Sequence, residues 1–226
     1  MRFPFCEPID KLLNGGLEIG CITNFYGQPG SAKSQIAFQA TVKVASAGRK
    51  VIFVDTEGGF SVERIGQMCN GFSQNVLDNI VILEPKEWTD QRDAIRGLEE
   101  LCRTHNPGLI VVDSIIALWR LTIAEENAFE INREMATQLS ILSRIAREHK
   151  IPVLITNQVY ADVETGKIEM SCKNIMKSWS KNIVELDHTG QPGRRKARIV
   201  KSRSIEEGRE TEFVITSDSL KAAEAI

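Results

Sequence analysis

The chain has 226 residues, of which 42% are hydrophobic and 26% charged, with a net charge of -2. That length suits one sizeable α/β domain, and the near-balanced charge excludes a uniformly basic surface, so an acidic polymer would have to meet a local patch. The apolar stretch from Leu109 to Trp119 is interrupted by Asp113 and Ser114 and is too short for a bilayer, Met1-Arg2-Phe3-Pro4-Phe5 lacks the apolar core of a signal peptide, and no membrane partner is expected. The five cysteines, Cys6, Cys21, Cys69, Cys102 and Cys172, are scattered without a C-x-x-C pair. Neither a zinc site nor a disulfide framework is expected, and a reducing, cytoplasmic setting follows.

Strand and helix patterns alternate along the chain. Ile22 to Tyr26 reads as a strand, Lys33 to Ala47 as a helix ended by Gly48, and Val51 to Asp55 as a second strand. A helical pattern from Ser61 to about Asn70 precedes the strand-like Ile80 to Leu83. Thr89 to His105 is helical, and Leu109 to Asp113 is a buried strand. In Phe129 to His149, Ile131, Met135, Leu139, Leu142, Ile145 and Ala146 recur at three-to-four spacing, the stripe of an amphipathic helix. Ile151 to Thr156 is again strand-like. Short apolar runs separated by helical lengths predict an α/β fold, a mostly parallel twisted sheet flanked by helices. Tyr160 to Ser180 is polar and irregular, a long functional loop in expectation. Asn182 to Asp187, Lys196 to Lys201 and Glu212 to Thr216 alternate like C-terminal antiparallel strands.

Gly27-Gln28-Pro29-Gly30-Ser31-Ala32-Lys33-Ser34 follows the phosphate-loop pattern between a strand and a helix. Backbone N–H groups at a helix start attract phosphates, Lys33 would reach the β- and γ-phosphates, and Ser34 would ligate Mg²⁺, so ATP and Mg²⁺ are the expected ligands. Gln35 continues the nucleotide-binding stretch. Ala32 stands where the pattern has glycine, and the expectation is retained binding with slow turnover. Asp113, closing its strand, would hold the metal opposite Ser34. Glu57, in Val54-Asp55-Thr56-Glu57-Gly58, is the candidate general base, on a strand expected to neighbour the phosphate-loop strand. Asn157-Gln158 would sit at a strand end beside the phosphates, with Gln158 sensing the γ-phosphate and passing its state onward. Arg64 has two readings, a guanidinium stacked on adenine or a solvated helix face.

These motifs resemble the RecA superfamily, specifically the archaeal and eukaryotic recombinases. The resemblance rests on Ile9-Asp10-Lys11-Leu12-Leu13-Asn14-Gly15-Gly16-Leu17, on Asp55-Thr56-Glu57-Gly58 followed by Glu63-Arg64-Ile65, on Val112-Asp113-Ser114 with Trp119-Arg120, and on Thr156-Asn157-Gln158-Val159. Ala32, the start directly at the ATPase core, the loop Tyr160 to Ser180 and the tail Ile199 to Ser204 are similar to the RadB family of archaeal recombinase paralogues. The resemblance implies residues 1–226 as a single RecA-like P-loop ATPase core without the N-terminal helix-hairpin-helix domain. It further implies a DNA repair and homologous recombination accessory protein with ATP binding, very weak ATPase, DNA binding and little or no strand exchange. Single-stranded or branched DNA, a recombinase or a junction resolvase, and further copies of the chain are the partners it implies, with control of branched-DNA cleavage among its roles. Two alternatives stand beside it: a nucleotide-gated scaffold that hardly hydrolyses, and a KaiC-like signalling ATPase.

By the same resemblance, the DNA path runs past Arg120 to Asn127 and past Tyr160 to Ser180, where Lys167, Lys173 and Lys177 would meet phosphates. Asp162, Glu164 and Glu169 oppose them, and a solvated loop is the competing reading. Arg194, Arg195, Lys196, Arg198, Lys201 and Arg203 form the densest basic run, a possible ridge for nucleic acid, although alternation divides it between two faces. Lys201 and Arg203 have a second reading, reaching the ATP of a neighbouring subunit.

Overall fold

The structure is a computed structural model that describes residues 1–69, 71, 73–161 and 168–223. The chain runs β1 (Arg2–Phe3), α1 (Glu7–Leu12), β2 (Leu17–Glu18), β3 (Ile22–Gly27), α2 (Lys33–Ser46), β4 (Val51–Asp55), α3 (Val62–Met68), α4 (Gln74–Leu77) and β5 (Ile80–Leu83). It continues through α5 (Trp88–His105), β6 (Leu109–Asp113), α6 (Ala117–Thr122), a 3-10 turn (Glu125–Asn127), α7 (Ala128–His149), β7 (Val153–Ala161), β8 (Ile168–Met170) and α8 (Lys173–Trp179). β9 (Asn182–His188), β10 (Arg194–Lys201), β11 (Glu210–Ile215) and β12 (Leu220–Ala222) complete it.

Among the described residues, the main sheet has ten strands, in the order β12-β11-β10-β9-β3-β7-β6-β4-β5 with β8 paired to β7. β3, β4 and β6 are buried along their whole length, which explains their continuous apolar runs. Successive residues feed opposite layers. Phe53 on β4 stacks on Phe38 of α2 at 5.7 Å, whereas Ile52 and Val54 join the layer of α5 and α7. α1, α2 and α3 cover one face, and α5, α7 and α8 cover the other.

Helix ends follow local chemistry. Ser61 accepts the Arg64 N–H at 3.1 Å and starts α3. Asn106 and Lys150, both left-handed, stop α5 and α7.

Three expectations are corrected. Tyr160 to Ser180 is not irregular throughout: β7 runs on to Ala161, pairs antiparallel with β8, and α8 follows. The apolar run stops at Thr156, but the strand continues, because Asn157 and Gln158 still pair with β3 and Val159 to Ala161 pair with β8. β9 is not wholly antiparallel, since it runs parallel to β3 and turns antiparallel only toward β10. β4 does not neighbour β3, because β7 and β6 lie between them. Among the described residues, no helix is long and apolar enough to cross a membrane.

Candidate functional site

The carboxyl ends of β3, β7, β6 and β4 lie side by side, where an α/β sheet places ligands. Gly27 closes β3 against β9: a Cβ there would stand 2.1 Å from the Leu186 carbonyl oxygen, so only glycine fits. Gly30, at φ +74°, turns the loop toward α2. The Ser31 hydroxyl is buried with no protein partner among the described residues. Ala32 takes φ 84° and ψ 17° at the start of α2, the left-handed region that the usual glycine occupies freely. A methyl group there costs about 1 kcal/mol.

Lys33 leans back across the loop and donates to the Gly27 and Gln28 carbonyls at 2.9 and 2.8 Å. Burial lowers its ammonium from the usual lysine range, and the Glu57 and Asp113 carboxylates oppose that shift. The positive charge therefore sits between the loop and the acidic side of the site.

Asp113 is buried at the end of β6. Burial raises its carboxyl above the ordinary carboxylate range, opposed by hydrogen bonds from the Thr156 and Ser34 hydroxyls, while the charges of Glu57 and Asp55 raise it further. The cost of a carboxylate in this place is lowest when a cation joins it. Glu57 reaches the same point from β4, across β6. Its Oε1 accepts from Ser114 Oγ at 2.6 Å and from Gln158 Nε2 at 2.7 Å. Asp55 fixes the turn that carries it, accepting from the backbone N–H groups of Glu57, Gly59 and Phe60 at 3.2, 3.2 and 2.8 Å.

Gln158 lies in register with Gly27 and passes the contact outward, since its Oε1 accepts from Arg120 Nη1 at 2.7 Å. Asn157, one residue earlier and on the opposite face, is buried and donates to the Ser171 carbonyl at 2.9 Å. Both stand within β7 and not at its end. Arg64 is tied to Gln35 at 3.0 Å, to Gln67 at 2.7 Å and to the Thr216 and Ser217 carbonyls, which places it beside the first turn of α2.

Beyond Gln158 a cleft of about 650 Å³ opens between α6, the β7–β8 hairpin and α8, lined among others by Trp119, Arg120, Tyr160 and Lys173. Lys173 is paired with Glu169 at 2.8 Å, and Lys177 occupies the last turn of α8. Lys167 lies outside the described residues.

The basic run on β10 does not form a free ridge. Arg194 pairs with Glu212 at 2.6 Å, Lys196 with Glu210 at 3.4 Å, and Arg198 with Glu185. Arg195 donates to the Gly30 carbonyl at 2.8 Å, so it serves the phosphate loop. Arg203 holds Glu18 at 2.6 Å, and Lys201 donates to the Lys177 and Ser180 carbonyls at the end of α8. The reason is register: β9 sets Glu185 opposite Arg198, and β11 sets Glu212 and Glu210 diagonal to Arg194 and Lys196.

Sequence reasoning missed Ser114, Thr156, Asp55 and His188. Thr156 and Ser114 had a legible signal, because each is a hydroxyl beside a strand-end residue already singled out. The contact of His188 with the loop depends on β9 lying against β3 and had none.

The site fits a magnesium nucleotide. The loop supplies a helix start and a lysine, and the Ser34 hydroxyl and Asp113 carboxylate are the hard oxygen donors that Mg²⁺ prefers. Among the described residues no cluster of three His, Cys, Asp or Glu side chains is placed to hold a metal ion. The five thiols are unpaired. Burial pushes Cys6, Cys21 and Cys172 up to about 12 and Cys102 up to about 11, so none is a poised nucleophile.

Residues 5–223 match the Rad51 family. The chain is 37% identical over 217 residues to the DNA repair and recombination protein RadB of Methanococcoides burtonii, covering 96% of this chain and 95% of that protein. It is 37% identical over 224 residues to the RadB of Methanothermobacter thermautotrophicus, covering 97% and 95%. The crystal structure of a RadB recombinase superposes with a TM-score of 0.85 at 32% identity, over 99% of this chain and 100% of that one.

Proposed function

The chain belongs to the Rad51 family, and from that premise we propose that it is a nucleotide-binding accessory protein of DNA repair and homologous recombination. The observation that carries this reading is the convergence of Lys33, Ser34, Asp113 and Glu57 from separate strands and loops onto one sheet edge. Lys33 and the loop amides hold the phosphates of ATP, and Ser34 and Asp113 hold Mg²⁺. Bound there, the metal neutralises phosphate charge and orients the terminal phosphate. Glu57, held by Ser114 and Gln158, orients and deprotonates an attacking water. Ala32 keeps this chemistry slow, because the loop must hold a backbone shape that its methyl group disfavours.

The chain Glu57–Gln158–Arg120 joins the nucleotide site to the cleft. A DNA strand lies in that cleft, its phosphates near Arg120, Lys173 and Lys177 and its bases against Trp119 and Tyr160. The chain acts beside a recombinase or a junction resolvase and assembles with copies of itself. Ala32 and the firm hold on Glu57 also favour a second reading, a nucleotide-gated scaffold with almost no hydrolysis.

Titration of a fluorescent ATP analogue with Mg²⁺ tests the first claim. Saturable uptake is expected, with affinity falling by roughly a hundredfold in Lys33→Ala, the loss of two or more charge-assisted contacts. No uptake by the unaltered chain would sink the reading. Steady-state ATPase with and without single-stranded DNA separates weak hydrolysis from the scaffold.

A further inference from the structure

A loop whose amides converge on an anion turns its carbonyls away, and each carbonyl turned away needs its own donor. Lys33 serves Gly27 and Gln28. Among the described residues, the donors to the next two carbonyls come from the antiparallel extension of the sheet. His188 Nε2, at the end of β9, lies 3.1 Å from the Pro29 oxygen. Arg195 Nε, on β10, lies 2.8 Å from the Gly30 oxygen. A carbonyl only accepts, so the His188 Nε2 carries the proton. Arg195 is itself held, its Nη1 donating to the Arg194 carbonyl at 2.8 Å. The two donors grip consecutive residues, and two residues later stands the left-handed Ala32.

We propose that Arg195, with His188 in support, is a positioning residue for the nucleotide: it holds the outward carbonyls of the phosphate loop and so offsets the resistance of Ala32 to its left-handed conformation. This rests on the reading of the loop as a nucleotide site. Without the grip, Ala32 draws the loop toward shapes that no longer present its amides, and apparent affinity falls with the fraction of chains in the binding shape. Glycine at position 32 removes the resistance and with it the need for the grip. The cation therefore acts through the loop backbone and does not touch the phosphates.

The test is a double-mutant cycle read by titration of the fluorescent ATP analogue with Mg²⁺, with melting temperature followed in parallel. Arg195→Ala is expected to weaken uptake roughly fivefold, the loss of one exposed hydrogen bond to a cation. Ala32→Gly alone is expected to stay within about twofold of the unaltered chain, since most chains already hold the binding shape. The double variant is expected to return close to the unaltered affinity. Arg195→Lys keeps the cation but not the Nε geometry, and is expected to weaken uptake and to be rescued likewise, which keeps the test open if Arg195→Ala does not fold. Uptake by either Arg195 variant at the unaltered affinity overturns the inference. So does a loss that persists undiminished with glycine at 32, which would place Arg195 on the nucleotide or on the fold. No uptake by the unaltered chain defeats the nucleotide reading itself, a separate outcome.

Discussion

The phosphate-loop end of the sheet and the basic strand β10 are both dense in ionisable side chains, and they use them in opposite ways. At the loop, Lys33 from the start of α2, Asp113 from the end of β6 and Glu57 from the turn after β4 point at a shared space, and burial disturbs the charged forms of Lys33 and Asp113. On β10, Arg194, Lys196 and Arg198 meet glutamates on the strands alongside, and each charge is answered locally. Density of charge in a sequence therefore says little about binding. Convergence of incompletely answered charge says much more.

The largest effect expected from breaking this contrast is on hydrolysis. Glu57→Gln keeps the hydrogen bonds of the turn but removes the base, and ATP turnover should fall about a hundredfold while analogue affinity holds. Equal turnover in a steady-state assay would take Glu57 out of the reaction.

Asp113→Asn sharpens the electrostatic side. Because burial raises the folded-state pKa of Asp113, a cost accrues as pH rises from the unfolded-state value through the raised one, and it is present at neutral pH. The asparagine variant should thus melt higher than the unaltered chain at pH 7, and the gain should shrink as pH falls. Its analogue affinity should lose its dependence on Mg²⁺. A lower melting temperature at pH 7 would show that the hydrogen bonds outweigh burial.

The smallest effects separate the two basic regions. Lys177→Ala, in the last turn of α8, should reduce the slope of log DNA affinity against log salt by about one. Lys196→Ala should leave that slope unchanged and lower stability by at most about 0.5 kcal/mol, the worth of a surface ion pair. A salt slope that responds to Lys196 and not to Lys177 would move the DNA path to β10.

Much of the parallel core was legible. β4 and β6 fall on the predicted residues, because strands covered on both faces read as unbroken apolar runs, and the partly buried edge strand β5 does so as the apolar run Ile80–Leu83. Asp113 and Ser34 were readable as a pair because a known loop and a strand-end carboxylate define their relation. The β7–β8 hairpin was not legible, since its ladder joins, among the described residues, only three residues on each strand, too few to show an alternation. The short β1, α1 and β2 were missed for want of periodicity.

By itself the sequence determined which segments are buried strands, which turn carries the phosphate-loop pattern, and which residue departs from the usual glycine, since these follow from local spacing and side-chain size. Tertiary structure alone decided strand order, and with it everything that depends on neighbours. It set Glu57 beside Ser114 at the end of β6 and Gln158 across it, paired the cations of β10 with glutamates, and brought His188 and Arg195 from the far end of the chain to the phosphate loop. The physical reason is that a hydrogen bond is specified by distance and direction in space, which residues far apart in the chain acquire only when the sheet closes around them.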